Sequence, residues 1–440
     1  MQELNQRFAN TPYIHSFAYG NKALPPKQDS AVAHNAQGIV HAKNNKYDLA
    51  ITHFSRAIRL APDYAEAYCN RGVTYANKGQ VERAIENYNK AIQIKPDCAE
   101  AYCNRGVSYH EKSKDDLAIE DYNKAIELNP DVAMAYNNRG NVYCGEEKFE
   151  KAIEDYNKAI ELNPDVAMVY NNRGNVYNDK GQFEKAIKDY NKAIQIKPDF
   201  TEAYYNRGNA YNGNKEFHKA IKDFNIVIKS HPEHVETYVN RGNVYYHKNQ
   251  FDKAIENYTK AIELKPNFAE AYINRGTAHC DKGEVEKAIA DYSQAIVLKP
   301  KVVESYYTRG EAWLRIRKWE EAQRDLTAAI LQGVDIAEAF HNTHESIVAF
   351  EDETGVKLPE DIVALLTPQQ EPLEIDKETR IALAMKYYEN EELSSGLAAR
   401  LAGVSREEFW YLMGDYGLSL FGTAEDLQEE LENAHKAGHQ

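Results

Sequence analysis

The chain has 440 residues, 31 of them tyrosine, and a formal net charge of −15 at pH 7. A negative charge of this size disfavours general binding to nucleic acid, because phosphates repel it. No apolar run reaches the roughly 20 residues that a membrane-spanning helix needs, so no membrane segment is expected.

Residues 1–30 come first and lack the basic-then-apolar pattern of a secretory signal peptide. We therefore expect an N-terminal tail and a cytoplasmic protein. The cysteines also favour a reducing compartment, because Cys69 and Cys103 hold the same place in adjacent repeated units. Stacked helices lie about 8–10 Å apart, which is too far for an unstrained disulfide.

A 34-residue unit then recurs nine times over residues 31–336. When each unit is numbered from Ala31, position 8 is glycine and position 20 is alanine in all nine units. Position 24 is large and apolar or aromatic, and position 32 is proline in eight units. Apolar residues spaced three, four and seven apart predict two amphipathic helices per unit, A and B. The proline ends helix B.

The small residues at positions 8 and 20 let two helices approach closely, and the residue at position 24 fills the space beside them. One unit cannot bury its apolar face alone, so neighbouring units must stack. This pattern resembles the tetratricopeptide repeat family over 306 of the 440 residues. The resemblance implies an all-α fold, a right-handed superhelical solenoid of nine helix pairs whose A helices line a concave, polypeptide-binding groove.

Asparagine dominates the stripe of helix A that faces the groove in this family. It holds position 6 in seven consecutive units and position 9 in four. Asparagine lowers helix propensity compared with alanine, and its amide both donates and accepts hydrogen bonds. The stripe therefore predicts contacts with the backbone of an extended polypeptide, although duplication could also have copied a solvated asparagine. The candidate peptide-binding residues are Asn70, Asn104, Asn138, Asn172, Asn206, Asn240, Asn274, Asn141, Asn175, Asn209 and Asn243.

Position 2 of the units adds an acidic rim to this stripe. It is glutamate in six units, with Met134 and Met168 in the middle of the chain. The rim predicts a neutral or basic polypeptide partner. The carboxylate clamp of chaperone-binding relatives needs lysine and arginine where this chain has Cys69, Cys103, glutamate and asparagine, so that subclass is not expected.

Position 7 is arginine in eight units, from Arg71 to Arg309. One interpretation is a basic ladder for an acidic ligand. However, position 23 of helix B is aspartate in six units. We therefore expect each of these arginines to pair with a helix B carboxylate and to stabilise the fold.

Residues 337–370 are predicted to form a capping helix over Ala337–Phe350 and then a linker. Residues 371–440 are predicted to form a small helical module. It begins with an amphipathic helix over Lys377–Tyr388, and the following residues have the spacing of a helix-turn-helix. The residues with that spacing are Ala399, Gly403, Val404, Phe409 and Leu412.

This C-terminal order of helices resembles a family of small, uncharacterised, antitoxin-like prokaryotic proteins. Residues 371–440 contain 15 acidic and 6 basic residues, a net charge of −9. DNA affinity depends largely on phosphates that basic residues neutralise. The module is therefore expected to bind protein rather than nucleic acid.

No phosphate-binding loop or nucleophile motif is present, and His341 and His344 lack an evident third metal ligand. We therefore predict neither an enzyme nor a cofactor. The sequence predicts a cytoplasmic scaffold that binds an extended polypeptide in its groove and a second partner through the C-terminal module. Two alternatives stay open: a transcriptional regulator or antitoxin-like protein that binds DNA, and a substrate-holding arm for a separate enzyme.

Overall fold

The computed structural model describes residues 26–300, 302–367, 377–389, 398, 402–404 and 406–415. Every regular element in these ranges is a helix. The chain divides into two compact units, Met1–Ile226 and Val227–Gln440, and the boundary falls within helix B of the sixth repeat. No helix in the described ranges is long and apolar enough to cross a membrane.

The predicted nine helix pairs are confirmed. The first A helix begins at Pro26, before the predicted start of the repeats at Ala31. The A helices are Pro26–Lys43, Ala65–Asn77, Ala99–Glu111, Ala133–Gly145, Ala167–Asp179, Thr201–Gly213, Val235–His247, Ala269–Asp281 and Val303–Arg315. The B helices are Tyr47–Leu60, Val81–Ile94, Asp115–Leu128, Phe149–Leu162, Phe183–Ile196, Phe217–Ser230, Phe251–Leu264, Val285–Leu298 and Trp319–Leu331.

The core of each repeat is the contact between position 8 of helix A and position 24 of helix B. A methyl group added at Gly140 would lie 2.8 Å from Cε1 of Tyr156, and one at Gly72 would lie 2.6 Å from Cε1 of Tyr88. Both tyrosines are fully buried, as are all nine alanines at position 20. A larger residue at position 8 would displace the ring, which explains the invariant glycine.

The turn from helix A to helix B places position 15 in the left-handed region of φ in all nine repeats. Only three of these residues are glycine, and the others include Glu147 and Lys215, both with φ of 59°. A residue with a side chain costs about 1–2 kcal/mol in this conformation. Helix packing therefore imposes the turn against the local preference of the chain.

The arginine at position 7 joins three helices. Arg139 donates from Nε and Nη2 to the carboxylate of Asp155 at 2.8 and 2.7 Å, and from Nη1 to Oδ1 of Asn123 on the preceding helix B. Its guanidinium also lies over the rings of Tyr136 and Tyr143. The same bidentate pairing is made by Arg105, Arg173, Arg207, Arg275 and Arg309. The predicted structural role of these arginines is confirmed.

Repeats two and seven modify this pairing. Arg71 and Arg241 donate from Nε to the amide oxygens of Asn87 and Asn257, each at 2.8 Å, because asparagine replaces aspartate there. In the charged pairs, burial raises the pKa of Asp155, and the hydrogen bond and charge of Arg139 oppose that rise. The carboxylate therefore depends on its arginine to remain charged inside the repeat.

Three helices follow the ninth repeat: Ile336–His344, Ile347–Thr354 and Glu360–Leu366. The prediction of one helix over Ala337–Phe350 is wrong, because the first helix ends before Glu345, which has φ of 61°, and a second helix begins at Ile347. Side chains cap the helices on both sides of the break. Asp335 accepts a hydrogen bond from the Glu338 amide, and Ser346 accepts one from the Ala349 amide.

The C-terminal segment contains the helices Lys377–Glu389 and Arg406–Asp415. The first confirms the predicted amphipathic helix, and its Met385 is buried in the same apolar cluster as Phe409, Phe350 and Tyr306. Gly403 has φ of 69°, as a turn before the second helix requires. Ala399, in the first half of the predicted helix-turn-helix, lies outside the described residues.

The five cysteines are all free thiols, so the prediction that Cys69 and Cys103 are not joined is confirmed. Four of them are buried and Cys280 is partly buried. Burial raises the pKa of Cys98 to about 11 and that of Cys103 to about 12. The thiolate is the reactive form of cysteine, so these thiols are chemically quiet.

Replacing Glu147 by glycine should stabilise the protein by about 0.5–1 kcal/mol, because glycine relieves the left-handed strain but makes the unfolded chain more flexible. Urea denaturation followed by circular dichroism measures the change. Gly181→Ala is the matched control, since Gly181 has φ of 67° and open space around its Cα. The control should lose stability, and a shift of both variants in the same direction would contradict the strain argument.

Replacing Arg139 by alanine should lower the free energy of unfolding by about 3 kcal/mol at pH 7, because it leaves the Asp155 carboxylate buried without its cation. Asp155→Asn should cost about 1 kcal/mol or less, since repeats two and seven use this arrangement.

The cost of Arg139→Ala should also depend on pH. Without the arginine, the pKa of Asp155 in the folded state lies further above its unfolded value, so protonation favours folding. The loss of unfolding free energy relative to the wild type should therefore be largest at pH 7 and should become smaller as the pH falls to 5. If Arg139→Ala and Asp155→Asn lose the same unfolding free energy at pH 7, the pair contributes no more than a neutral hydrogen bond.

Candidate functional site

The predicted site lies on the A helices, which form a continuous layer within each unit because each A helix contacts the A helix of the next repeat. We call positions 5, 6, 9 and 12 of these helices the asparagine stripe. In Met1–Ile226 the stripe runs through repeats one to six, and in Val227–Gln440 it includes Asn240, Asn243 and Asn274.

Burial divides the predicted site residues into two groups. Asn70, Asn104, Asn138 and Asn172 at position 6 are at most 1% exposed. Asn141 and Asn175 at position 9 are buried as well. The partly buried group, which keeps some contact with solvent, consists of Asn206, Asn209, Asn240, Asn243 and Asn274.

Asparagines at position 6 hydrogen bond to position 5 of the preceding repeat. Asn172 donates from Nδ2 to Oδ1 of Asn137 at 3.2 Å, and Asn206 donates to Oδ1 of Asn171 at 3.1 Å. Asn70 donates to Asn35 in the same way, and Asn104 donates to Sγ of Cys69. These amides hold neighbouring A helices together. Helical periodicity within one unit does not predict this use, although the spacing of 35 residues between the paired polar positions would have indicated it.

Asparagines at position 9 serve the core of the repeat. Asn141, Asn175 and Asn243 each accept a hydrogen bond at 2.8 Å from the hydroxyl of the position 24 tyrosine in their own repeat. A buried tyrosine hydroxyl needs such a partner. Asn141 also accepts from Nδ2 of Asn172 at 3.0 Å, which ties the core to the stripe.

Repeats five and six leave acceptors of the stripe unused. The amide oxygens of Asn172, Asn178 and Asn212 are buried, and no donor among the described residues reaches them. An unsatisfied buried acceptor costs about 1–3 kcal/mol. These three oxygens therefore mark the part of the stripe with unfilled hydrogen-bonding capacity.

The acidic rim differs from repeat to repeat. Glu66 lies 3.8 Å from Nζ of Lys95. Glu202 instead accepts a hydrogen bond at 3.0 Å from Nδ2 of Asn171, and burial raises its pKa. Met134 and Met168 hold the same position in repeats four and five and are partly buried. The rim therefore contains a salt bridge in repeat two, apolar side chains in repeats four and five, and in repeat six a carboxylate that is hydrogen bonded to an amide.

His341 and His344 have separate partners. His341 Nδ1 lies 2.7 Å from the Ala337 carbonyl oxygen, and His344 Nε2 lies 2.8 Å from Oε1 of Glu311. Among the described residues, no three histidine, cysteine, aspartate or glutamate side chains are placed to hold a metal ion.

Models of the tetratricopeptide repeat match most of the nine repeats. One matches residues 38–79, 74–113, 174–215, 242–283 and 276–316. Three others match residues 99–132 and 133–166, residues 155–188, and residues 202–234. The model of an uncharacterised protein family, UPF0175, matches residues 352–436.

A UPF0175 protein of Aeropyrum pernix is 40% identical over 65 residues, which are 15% of this chain and 73% of the relative. Among solved structures, YrrB, titled a tetratricopeptide repeat protein with an unusual peptide-binding site, is 27% identical with a TM-score of 0.38. The match covers 42% of this chain and 96% of that one. A tetratricopeptide repeat protein from Parabacteroides merdae is 20% identical with a TM-score of 0.44, over 53% of this chain and 93% of that one.

The nine helix pairs and the matching repeat models agree over the greater part of the chain. The chain is a tetratricopeptide repeat protein, and its C-terminal part belongs to the UPF0175 family.

Proposed function

We propose that the protein is a non-enzymatic scaffold that binds an extended polypeptide along its asparagine stripe. Tetratricopeptide repeats support a role in protein interaction, because a stack of such units makes a long open surface rather than a closed pocket. The observation that carries the finer proposal is the set of unused acceptors on Asn172, Asn178 and Asn212. Asn178 and Asn212 are only partly buried, so rotation of either side chain would bring its oxygen to the surface, where a backbone amide of an extended peptide could donate to it.

The buried asparagines position this surface and do not all contact the ligand. Asn70 and Asn104 donate hydrogen bonds to side chains of the preceding repeat. The binding segment we infer is therefore centred on repeats five and six, and the partly buried Asn206 and Asn209 belong to it. In Val227–Gln440, the partly buried Asn240 and Asn274 offer a second stretch of the same chemistry.

We further infer that the UPF0175 segment binds a second protein. Two observations support this role: Tyr411 is 73% exposed on the helix Arg406–Asp415, and residues 371–440 carry 15 acidic against 6 basic residues. A large exposed aromatic ring is typical of protein interfaces. The free, buried thiols agree with the cytoplasm as the working compartment.

Replacing Asn178 and Asn212 together by alanine should weaken peptide binding at least about fivefold, since each lost hydrogen bond costs roughly 0.5–1.5 kcal/mol. Neither side-chain oxygen accepts a hydrogen bond from the described residues, so stability should stay the same or rise with helix propensity. The probe is the strongest binder selected by the full protein from a phage library of random peptides, measured by isothermal titration.

Asn70→Ala is the matched control for this experiment, because Asn70 bonds to Asn35 of repeat one and lies outside the inferred binding segment, so its replacement should lower the melting temperature and leave the peptide affinity unchanged. Helix propensity alone predicts that alanine at position 6 preserves or raises stability, but the hydrogen bonds of the position 6 asparagines to the preceding repeat oppose this prediction. Unchanged affinity in the folded Asn178 and Asn212 double variant would show that the stripe does not read the peptide backbone.

The full protein should give no sequence-specific shift of duplex DNA at physiological salt, because the UPF0175 segment has too few cations to neutralise phosphates. Electrophoretic mobility shift with the DNA upstream of its own gene tests this. A nanomolar complex that survives moderate salt would favour the transcriptional regulator instead, and loss of the complex on removing residues 371–440 would assign it to that segment.

A further inference from the structure

We propose that Glu202 is an anchor for a lysine or arginine side chain of the bound polypeptide. The inference rests on the proposed peptide-binding function and adds a chemical preference to it. Glu202 occupies position 2 of helix A in repeat six, on the acidic rim beside the asparagine stripe, and is partly buried.

The environment of Glu202 lacks a cation. Its one hydrogen bond from the described residues comes from Nδ2 of Asn171, at 3.0 Å to Oε1. No lysine, arginine or histidine of those residues lies within ion-pair distance, whereas Glu66 at the same position has Lys95 at 3.8 Å. Partial burial of a carboxylate without a cation is unfavourable, so the charge is stabilised only when something else supplies the cation.

The fold does not need a carboxylate at this position. Repeats four and five carry Met134 and Met168 there, both partly buried, and their A helices pack in the same way. A methionine would avoid the desolvation that Glu202 suffers. Folding alone therefore does not explain the glutamate of repeat six, and a ligand does.

Two asparagines orient the carboxylate. Asn206 donates to Oδ1 of Asn171 at 3.1 Å, and Asn171 in turn donates to Oε1 of Glu202. This relay fixes one carboxylate oxygen and leaves Oε2 to accept from a ligand. A carboxylate held in place by neighbours loses little side-chain entropy on binding, which increases the affinity for a cationic group.

Glu202 also lies close enough to the unused acceptors for one short peptide to reach both. Glu202 and Asn212 stand ten residues apart on helix A, about 15 Å along its axis. An extended peptide covers this distance with about five residues. One short peptide could therefore give its backbone amides to the asparagines and a basic side chain to Glu202.

The test compares peptides selected by the wild-type full protein with those selected by Glu202→Gln and by Glu100→Gln. Glutamine at 202 still accepts the hydrogen bond of Asn171, so the fold should be retained. Glu100 is the matched control, because it has the same position in repeat three but is exposed. A phage library of random twelve-residue peptides supplies the probes.

We expect lysine or arginine at one fixed position in peptides selected by the wild type and by Glu100→Gln, but not by Glu202→Gln. Replacing that residue by norleucine in the best peptide should weaken wild-type binding at least about tenfold and change binding to Glu202→Gln by less than about twofold. Lysine and arginine versions of the peptide show which cation the site prefers.

Glu202→Met is the second variant, because it copies the residue of repeats four and five. It should also lose the preference for a basic residue while its melting temperature stays at or above that of the wild type. Selected peptides without a fixed basic residue would overturn the anchor and leave the peptide-binding function standing. Failure of the wild type to select any peptide would overturn both.

Discussion

The close approach of the position 8 glycine to the position 24 ring sets the distance between helices A and B in every repeat. At Gly140 the ring of Tyr156 lies only 2.8 Å from the position that a Cβ would take. This contact fixes helix A against helix B, and its repetition within each compact unit places successive A helices side by side. The hydrogen bonds between repeats can form only because this spacing recurs without variation.

Two polar seams then join neighbouring repeats. Arginines such as Arg139 span two B helices and hold a carboxylate that would otherwise be costly to bury. Amides such as Asn172 connect A helices on the side of the stripe. Because both seams depend on side chains 16 to 35 residues apart, they stabilise the stack and not the single helix. A binding surface built on such seams is held rigid before a ligand arrives.

Two parts of the described chain carry the features on which the proposals depend. Repeats five and six combine the unused oxygens of Asn178 and Asn212 with the carboxylate of Glu202, which has no cation among the described residues within ion-pair distance. The C-terminal segment instead shares an apolar cluster with repeat nine, in which Phe409 and Tyr306 are both buried. Burial of both rings in one cluster packs the described part of the UPF0175 segment against the last repeat.

The sequence by itself determined the nine helix pairs, the role of the glycines and the pairing of arginine with aspartate, because each rests on residue size, charge or period that recurs every 34 residues. Only the tertiary structure decided which asparagines are buried, the left-handed turn at residues such as Glu147, and the break at Glu345. Whether an amide such as that of Asn172 bonds within the stack or faces a ligand depends on the distance to another repeat. Helix packing between neighbouring repeats sets that distance, and the residues of a single repeat do not encode it.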